Sequence, residues 1–117
     1  PLLASSAASD VYKRQLSYVG AYSATKAALI QITKSQSIEL AKYNICVNAL
    51  APGYILTDIN RDQLEGETGD LLKRKIPLKR FATVDELDTI ISVLLNVSNT
   101  YMTGAVIAVD GGLSTGL

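Results

Sequence analysis

The sequence predicts an α/β fold with parallel strands, and two kinds of segment support this prediction. Two short apolar runs, residues 45–51 and 105–109, are rich in Val, Ile and Ala, and a turn containing glycine follows each. Such runs are typical of strands buried on both faces of a parallel sheet. A helical pattern lies between them at residues 83–95, and a helix-compatible stretch precedes them at residues 21–43. Because parallel strands need a long crossover, we expect helices packed on a parallel sheet.

The first helix and the first strand follow directly from composition. Residues 21–43 are rich in Ala, Leu, Ile, Gln, Lys and Glu and contain neither Pro nor Gly, which favours a helix. The apolar run at 45–51 ends at Pro52-Gly53, a pair that predicts a turn. Cys46 lies within this run, and we interpret it as an inert core residue.

The second half is predicted to hold a loop followed by a capped helix. Residues 57–78 are polar, contain two glycines and carry charges of both signs, which indicates a mobile loop with short helical pieces. The sequence Thr-Val-Asp-Glu at 83–86 is a capping box, so a helix is expected to begin there. Apolar residues then recur with the 3.6-residue period and form one stripe: Val84, Leu87, Ile90, Ile91, Leu94 and Leu95.

Composition excludes several classes of function. The chain is 48% hydrophobic and carries 11 basic and 11 acidic residues, so we expect a soluble, cytoplasmic globular domain or a piece of one, with no nucleic-acid partner. No apolar run reaches the length of a membrane span, and we expect neither a membrane partner nor a signal peptide. With one cysteine and no histidine, intrachain disulfides, Cys/His metal sites and histidine-based triads are excluded. Acid–base chemistry would fall mainly to Tyr, Lys, Asp or Glu.

Tyr22 and Lys26 are the most informative candidate pair. Their spacing of four residues places both side chains on one face of a helix. A phenol beside an ammonium can transfer protons, because the positive charge favours the tyrosinate. The alternative is a surface lysine near a half-buried tyrosine, since chance alone supplies roughly 0.4 such pairs in this composition.

The order of motifs along the chain resembles a known family. The segments that carry the resemblance are Tyr22-Ser23-Ala24-Thr25-Lys26, Val47-Asn48-Ala49-Leu50-Ala51-Pro52-Gly53, Thr57, Ile76-Pro77, Arg80-Phe81, Glu86-Leu87, Tyr101-Met102-Thr103-Gly104 and Val109-Asp110-Gly111-Gly112. From about residue 18 to residue 112, this series closely resembles the C-terminal half of short-chain dehydrogenase/reductases. The resemblance implies the C-terminal half of a doubly wound parallel-sheet Rossmann fold.

The resemblance also implies an activity and its residues. Tyr22 would exchange a proton with an alcohol or carbonyl substrate, while NAD or NADP exchanges the hydride. Lys26 would promote ionisation of the tyrosine and bind the nicotinamide ribose. The backbone from Pro52 through Gly53 to Ile55 would contact the nicotinamide, and Thr57 would bond its carboxamide or a phosphate. The alternative for Pro52-Gly53 is an ordinary turn at the end of a strand.

Several parts of the resembled family have no counterpart in this sequence. They are the glycine-rich turn for the pyrophosphate, the residue that separates NAD from NADP, and the Asn-Ala-Gly element. We therefore expect residues 16–117 to be the C-terminal half of one truncated domain. Ser9 occupies the position of the family's serine by spacing. Residues 1–15 lack the expected strand pattern, and we interpret them as a non-native segment.

Two classes of function stay open from the sequence. The first is an NAD(P)-dependent oxidoreductase acting on a sugar acid such as gluconate, with 3-oxoacyl-carrier-protein reductase as the alternative. The second is a non-enzymatic chain, either an inactive fragment or an interaction module. By resemblance the intact protein would be a homodimer or homotetramer, paired through the helix at 21–43 and the end at 101–117, and residues 57–78 would form a lid over the substrate.

Overall fold

Helices and two short strands alternate along residues 20–115, the part of the chain that the computed structural model describes. The elements in chain order are α1 (Gly20–Leu40), a 3-10 turn (Ala41–Tyr43), β1 (Ala49–Pro52), α2 (Arg61–Leu64), α3 (Glu67–Lys75), α4 (Val84–Leu95), β2 (Val106–Val109) and a final 3-10 turn (Leu113–Thr115). This order confirms the α/β prediction. The predictions for residues 1–15, Ser9 included, fall outside the described residues.

Strands β1 and β2 pair in parallel, as predicted. Their register sets Ala49 opposite Val106 and Pro52 opposite Val109. All of β1 is buried, whereas β2 alternates between exposed and half-buried residues. Each strand is shorter than its apolar run. The predicted first strand began at residue 45, so Cys46 lies ahead of β1, where it is half-buried rather than in the core as expected.

Asn48 explains why β1 begins late. Its side chain is fully buried and makes two hydrogen bonds to the loop that leads into β2. The Nδ2 group donates to the Met102 carbonyl at 2.9 Å, and Oδ1 accepts from the Ala105 N–H at 3.0 Å. A buried amide is stable only when its polar atoms are paired in this way. The residues before β1 are therefore held by side-chain hydrogen bonds together with one backbone bond, from the Gly104 N–H to the Val47 carbonyl at 2.7 Å.

Helix α1 is tied to the loop that precedes β2. A methyl group added at Gly104 would lie 2.8 Å from the Ser37 hydroxyl, so the helix and this loop are in direct contact. The helix predicted at 21–43 is confirmed, although its last three residues tighten into the 3-10 turn. Asn44 follows with a φ of 58°, the left-handed conformation that commonly ends a helix. None of the helices within residues 20–115 is long and apolar enough to cross a membrane.

The segment predicted as a mobile loop folds into a packed helical pair. The expected short helical pieces are α2 and α3. We call residues 57–78 the lid. Two of its side chains, Leu64 and Ile76, form a buried apolar cluster with Phe81, which follows the lid in the chain. Gly69 in α3 faces the Leu64 carbonyl so closely that an added methyl group would overlap it. The close approach of α2 and α3 thus requires a glycine at this position.

Helix α4 begins with the predicted capping box. The Glu86 carboxylate accepts the Thr83 N–H at 2.8 Å, which satisfies a backbone donor that the helix leaves free. Within the predicted apolar stripe, Leu94 is buried, and the three stripe residues between Val84 and Leu94 are half-buried. Val84 and Leu95, at the two ends of the helix, are 51% and 62% exposed.

Glu86 also forms a two-point ion pair with Arg80. Both carboxylate oxygens accept guanidinium N–H groups, at 2.7 and 2.8 Å. The hydrogen bonds from Arg80 and from the Thr83 backbone lower the pKa of Glu86 to about 2, and the same pairing raises the pKa of Arg80. The carboxylate is therefore favoured in the folded chain.

This pairing predicts an acid-dependent loss of stability. Because the folded-state pKa of Glu86 is depressed, its contribution is full above the ordinary carboxyl range and is lost as pH falls from about 4.5 toward 2. We expect Glu86→Gln to lower the melting temperature at pH 7 but not at pH 2. Since glutamine preserves the capping box, Glu86→Ala should cost more at both pH values. An equal loss at pH 7 and pH 2 in Glu86→Gln would contradict this assignment, as measured by calorimetry.

Candidate active site

Tyr22 and Lys26 meet on the first turns of α1, as their spacing predicts. The Lys26 Nζ lies 5.3 Å from the centre of the Tyr22 ring, within the range of a cation–π contact. The Tyr22 side chain is 45% exposed, so a small molecule can approach the ring. The Thr25 hydroxyl donates to the Tyr22 carbonyl at 2.7 Å, which adds a bond to this first turn. The two side chains are thus adjacent, with an ammonium next to an accessible phenol.

The segment after β1 lies at the carboxyl ends of both strands. Gly53 continues the ladder, because its N–H donates to the Val109 carbonyl at 3.0 Å. Ile55 then forms a parallel bridge with Ala82. In open α/β sheets ligands bind beyond the carboxyl ends of the strands. Pro52, Gly53 and Ile55 therefore occupy the edge where a ligand is expected.

Gly53 has a packing reason to be glycine. A methyl group added there would lie 2.8 Å from both Cα and Cβ of Asp110, closer than side chains approach a backbone. The family resemblance implies that the backbone at Gly53 contacts the nicotinamide. In the structure, the absence of a side chain at Gly53 leaves room for Asp110, the residue that follows β2. The substitution of Gly53 is therefore restricted whether or not a ligand binds.

Asn60 organises the backbone on either side of Leu56. Its Oδ1 accepts the Thr57 N–H at 2.8 Å, and its Nδ2 donates to the Ile55 carbonyl at 2.9 Å. Thr57 is thus held by its backbone and is half-buried. Sequence reasoning missed Asn60. The signal was present, because an asparagine shortly after a strand-ending turn often bonds nearby backbone.

Asp110 plays a similar role after β2. One carboxylate oxygen accepts the Gly112 N–H and the other accepts the Ser114 N–H, each at 2.9 Å. Gly111 and Gly112 have φ values of 64° and 88°, which glycine adopts without strain. Their turn packs on the end of the lid, because the Gly111 carbonyl accepts the Leu78 N–H at 3.1 Å. Asp110 thus stabilises the turn after β2 and packs against Gly53 at the carboxyl ends of the strands.

A small cavity opens beside this edge. Its volume is about 110 Å³, enough for a few water molecules. The lining residues come from the segment after β1, the end of the lid, the start of α4 and the end of β2: Tyr54, Ile76, Leu78, Arg80, Ala82, Glu86, Val109, Asp110 and Gly111. The cavity thus touches the same strand ends as the candidate cofactor segment.

The candidate residues form two groups. Tyr22 and Lys26 lie together on α1, and Pro52, Gly53, Ile55 and Thr57 lie together beyond β1. No hydrogen bond or ion pair among residues 20–115 joins one group to the other. Ser9 lies outside the described residues, so its role stays a prediction. In the same part of the chain, no three His, Cys, Asp or Glu side chains cluster as metal ligands do.

The segment after β1 fits the carboxamide of a nicotinamide cofactor. The Leu56 N–H donates to the Ala82 carbonyl at 2.9 Å and the Tyr54 carbonyl accepts the Ala82 N–H at 3.0 Å. The Ile55 N–H points the opposite way and has no hydrogen-bond partner within residues 20–115. Because Ile55 is half-buried, such a donor favours a ligand with a carbonyl oxygen. A carboxamide provides one.

Comparison with known proteins places these features in a family. The family model described as "Enoyl-(Acyl carrier protein) reductase" matches residues 3–114. A curated relative, 3-oxoacyl-[acyl-carrier-protein] reductase of Aquifex aeolicus, is 45% identical over 92 residues, which are 79% of this chain and 37% of the relative. D-arabinitol 2-dehydrogenase of Scheffersomyces stipitis is 40% identical over 94 residues, 78% of this chain and 34% of that protein. The chain thus spans little more than a third of the curated relatives it matches.

A solved structure shows the same likeness in three dimensions. Gluconate 5-dehydrogenase of Burkholderia cenocepacia, solved with NADP and tartrate, superposes with a TM-score of 0.87 at 29% identity. The match covers 99% of this chain and 46% of that structure. Since the family model covers nearly the whole sequence and curated relatives are 40–45% identical over more than three quarters of it, the chain belongs to the short-chain dehydrogenase/reductase family.

Proposed function

We propose that the protein is an NAD(P)-dependent oxidoreductase that interconverts an alcohol and a carbonyl compound. The observation that carries this proposal is the contact between the Tyr22 phenol and the Lys26 ammonium, 5.3 Å from ring centre to Nζ. In a member of this family, that contact places an ammonium beside a phenol, an arrangement that suits a tyrosine acting as a proton donor. The accessible ring of Tyr22 leaves room for a substrate oxygen.

Each group has a distinct role in the proposed reaction. During reduction, Tyr22 donates its hydroxyl proton to the carbonyl oxygen of the substrate; during oxidation it removes the proton of the alcohol. Lys26 stabilises the tyrosinate that the reduction leaves behind. The nicotinamide, when bound, supplies or accepts the hydride at the carbon. Lys26, Ile55 and Thr57 are the residues that would hold it, with Pro52 and Gly53 forming the backbone beneath.

Two substrate classes are supported by different comparisons. The curated relatives at 40–45% identity include several 3-oxoacyl-[acyl-carrier-protein] reductases, which supports a 3-oxoacyl thioester. The fold match to a gluconate 5-dehydrogenase at 29% identity supports a sugar acid. Because the sequence identity is higher for the first class, we propose the 3-oxoacyl thioester as the principal substrate, with gluconate as the second candidate.

The test is nicotinamide-dependent turnover by the protein expressed from its natural gene. Absorbance of the reduced nicotinamide is followed with acetoacetyl-coenzyme A and NADH or NADPH, and separately with gluconate and NAD or NADP. We expect oxidation of the reduced cofactor with the thioester. Turnover of gluconate alone would assign the sugar-acid activity instead. No turnover with either substrate class or with simple alcohols and ketones would sink the enzyme assignment.

The same family membership supports a homodimer or homotetramer. Helix α1 presents apolar side chains to solvent, with Ile38 78% and Ile32 47% exposed. Within the described residues, β2 pairs with another strand on one edge only, so the backbone groups of its other edge can pair with a further strand. These two surfaces are the ones expected from the resemblance to pair subunits. Location in the cytoplasm stays a prediction.

A further inference from the structure

We propose that Asn60 is a positioning residue for the nicotinamide end of the cofactor. It would act by holding residues 55–57 in the conformation that receives the carboxamide. This inference rests on the proposed function, because it concerns the same site. Asn60 itself need not touch the cofactor.

The side-chain amide of Asn60 closes a loop around Leu56. Its oxygen accepts from Thr57 at 2.8 Å and its nitrogen donates to Ile55 at 2.9 Å. The partners fix the orientation of the amide, since a backbone N–H needs an acceptor and a carbonyl needs a donor. Alanine would remove both bonds, and no residue without both a donor and an acceptor could replace them.

The opposite side of this segment is held by Ala82. Leu56 and Tyr54 use their N–H and carbonyl groups in bonds to Ala82, at 2.9 and 3.0 Å. Because neighbouring backbone groups alternate in extended chain, the Ile55 groups point toward the Asn60 side. The Ile55 carbonyl accepts a hydrogen bond from the Asn60 side chain. The Ile55 N–H is left as a donor without a partner in residues 20–115.

Asn60 also links this segment to the lid. Its own carbonyl accepts the Gln63 N–H at 3.1 Å and the Leu64 N–H at 2.9 Å, so the residue begins helix α2. Leu64 in turn belongs to the buried cluster of the lid. Asn60 therefore connects residues 55–57 to a packed helix, with its side chain bonded to the segment and its carbonyl bonded to the helix. Such preorganisation raises affinity by reducing the ordering cost on binding.

The test compares Asn60→Ala with a matched control, Asn96→Ala. Asn96 also accepts a backbone N–H, that of Ser98 at 2.8 Å, but it lies after α4. In the protein expressed from its natural gene, two quantities are measured: hydrogen exchange of the Thr57 amide without cofactor, and the dissociation constants of NADH and NADPH by fluorescence. We expect Asn60→Ala to speed Thr57 exchange and to weaken cofactor binding about tenfold, while Asn96→Ala changes neither.

A conservative variant separates positioning from a general loss of structure. Asn60→Asp retains an acceptor for Thr57 and loses the donor to Ile55, so Thr57 exchange should stay slow while binding weakens. If Asn60→Ala binds the cofactor as the unsubstituted protein does, the inference is overturned and the proposed function stands. If the unsubstituted protein binds neither NADH nor NADPH, the proposed function and this inference both fail. Unchanged Thr57 exchange in Asn60→Ala would overturn the structural basis alone.

Discussion

Replacement of Tyr22 by phenylalanine is expected to abolish nearly all turnover while leaving the fold intact. The substitution removes only the phenolic oxygen, the atom that would carry the transferred proton, and the ring can still contact Lys26. A positioned general acid contributes on the order of 10² to 10⁴ in rate, so kcat should fall by about that factor. Steady-state kinetics on the protein expressed from its natural gene measures this loss.

Tyr43→Phe is a matched control for this experiment. Tyr43 also has a lysine over its ring, with the Lys42 Nζ at 5.0 Å from the ring centre, and it is 62% exposed. The same atom is deleted beside the same type of cation, but far along the helical segment from the candidate site. We expect turnover within about twofold of the unsubstituted protein, as for other surface changes. Retained turnover in Tyr22→Phe would exclude Tyr22 as the proton donor.

Gly69→Ala is expected to give the largest loss of stability among single-methyl changes in the lid. The added methyl would overlap the Leu64 carbonyl, and a backbone atom cannot move aside as a flexible side chain can. Overpacking of this kind typically costs about 1–3 kcal/mol in the free energy of unfolding, and we expect Gly69→Ala at the upper end of this range. To relieve the overlap, α2 and α3 would have to move apart, and this movement would expose the cluster of Leu64, Ile76 and Phe81.

Thr68→Ala provides the control, since Thr68 is exposed in the same helix and alanine is a better helix former. Denaturant unfolding should show a change within about 0.5 kcal/mol for Thr68→Ala. Hydrogen exchange should locate the Gly69→Ala effect in residues 61–76. A Gly69→Ala protein as stable as the control would contradict the close approach of the two lid helices.

The sequence predicted the elements that local chemistry determines. Alternation of helical and apolar segments predicted the parallel pair, the Thr83 and Glu86 spacing predicted a cap that forms as expected, and the Tyr22 and Lys26 spacing predicted their contact. The cap and the contact between Tyr22 and Lys26 each depend on residues that are near one another in the chain. Helix geometry alone is enough to bring such residues together.

Long-range contacts were not predictable in the same way. Asn48 is polar within an apolar run, and only the position of Met102 and Ala105 shows why it is buried and paired. The polar composition of residues 57–78 indicated a loop, because most of its charged side chains face solvent. Its apolar residues Leu64 and Ile76 are buried together with Phe81, which lies beyond this segment. The Pro52-Gly53 pair predicts a turn, but only the structure shows that Asp110 packs against this glycine.

We propose that the protein transfers hydride between a nicotinamide cofactor and a carbonyl carbon, with Tyr22 supplying the proton. The most direct test uses reduced nicotinamide labelled with deuterium at both C4 positions, incubated with the substrate that the turnover assay identifies, followed by mass spectrometry of the alcohol product. We expect the alcohol product to carry one deuterium on the carbinol carbon when the cofactor carries the label. We expect no deuterium on that carbon when only the solvent is D₂O. A carbinol hydrogen derived from solvent, or product formed without the nicotinamide, would contradict this proposal.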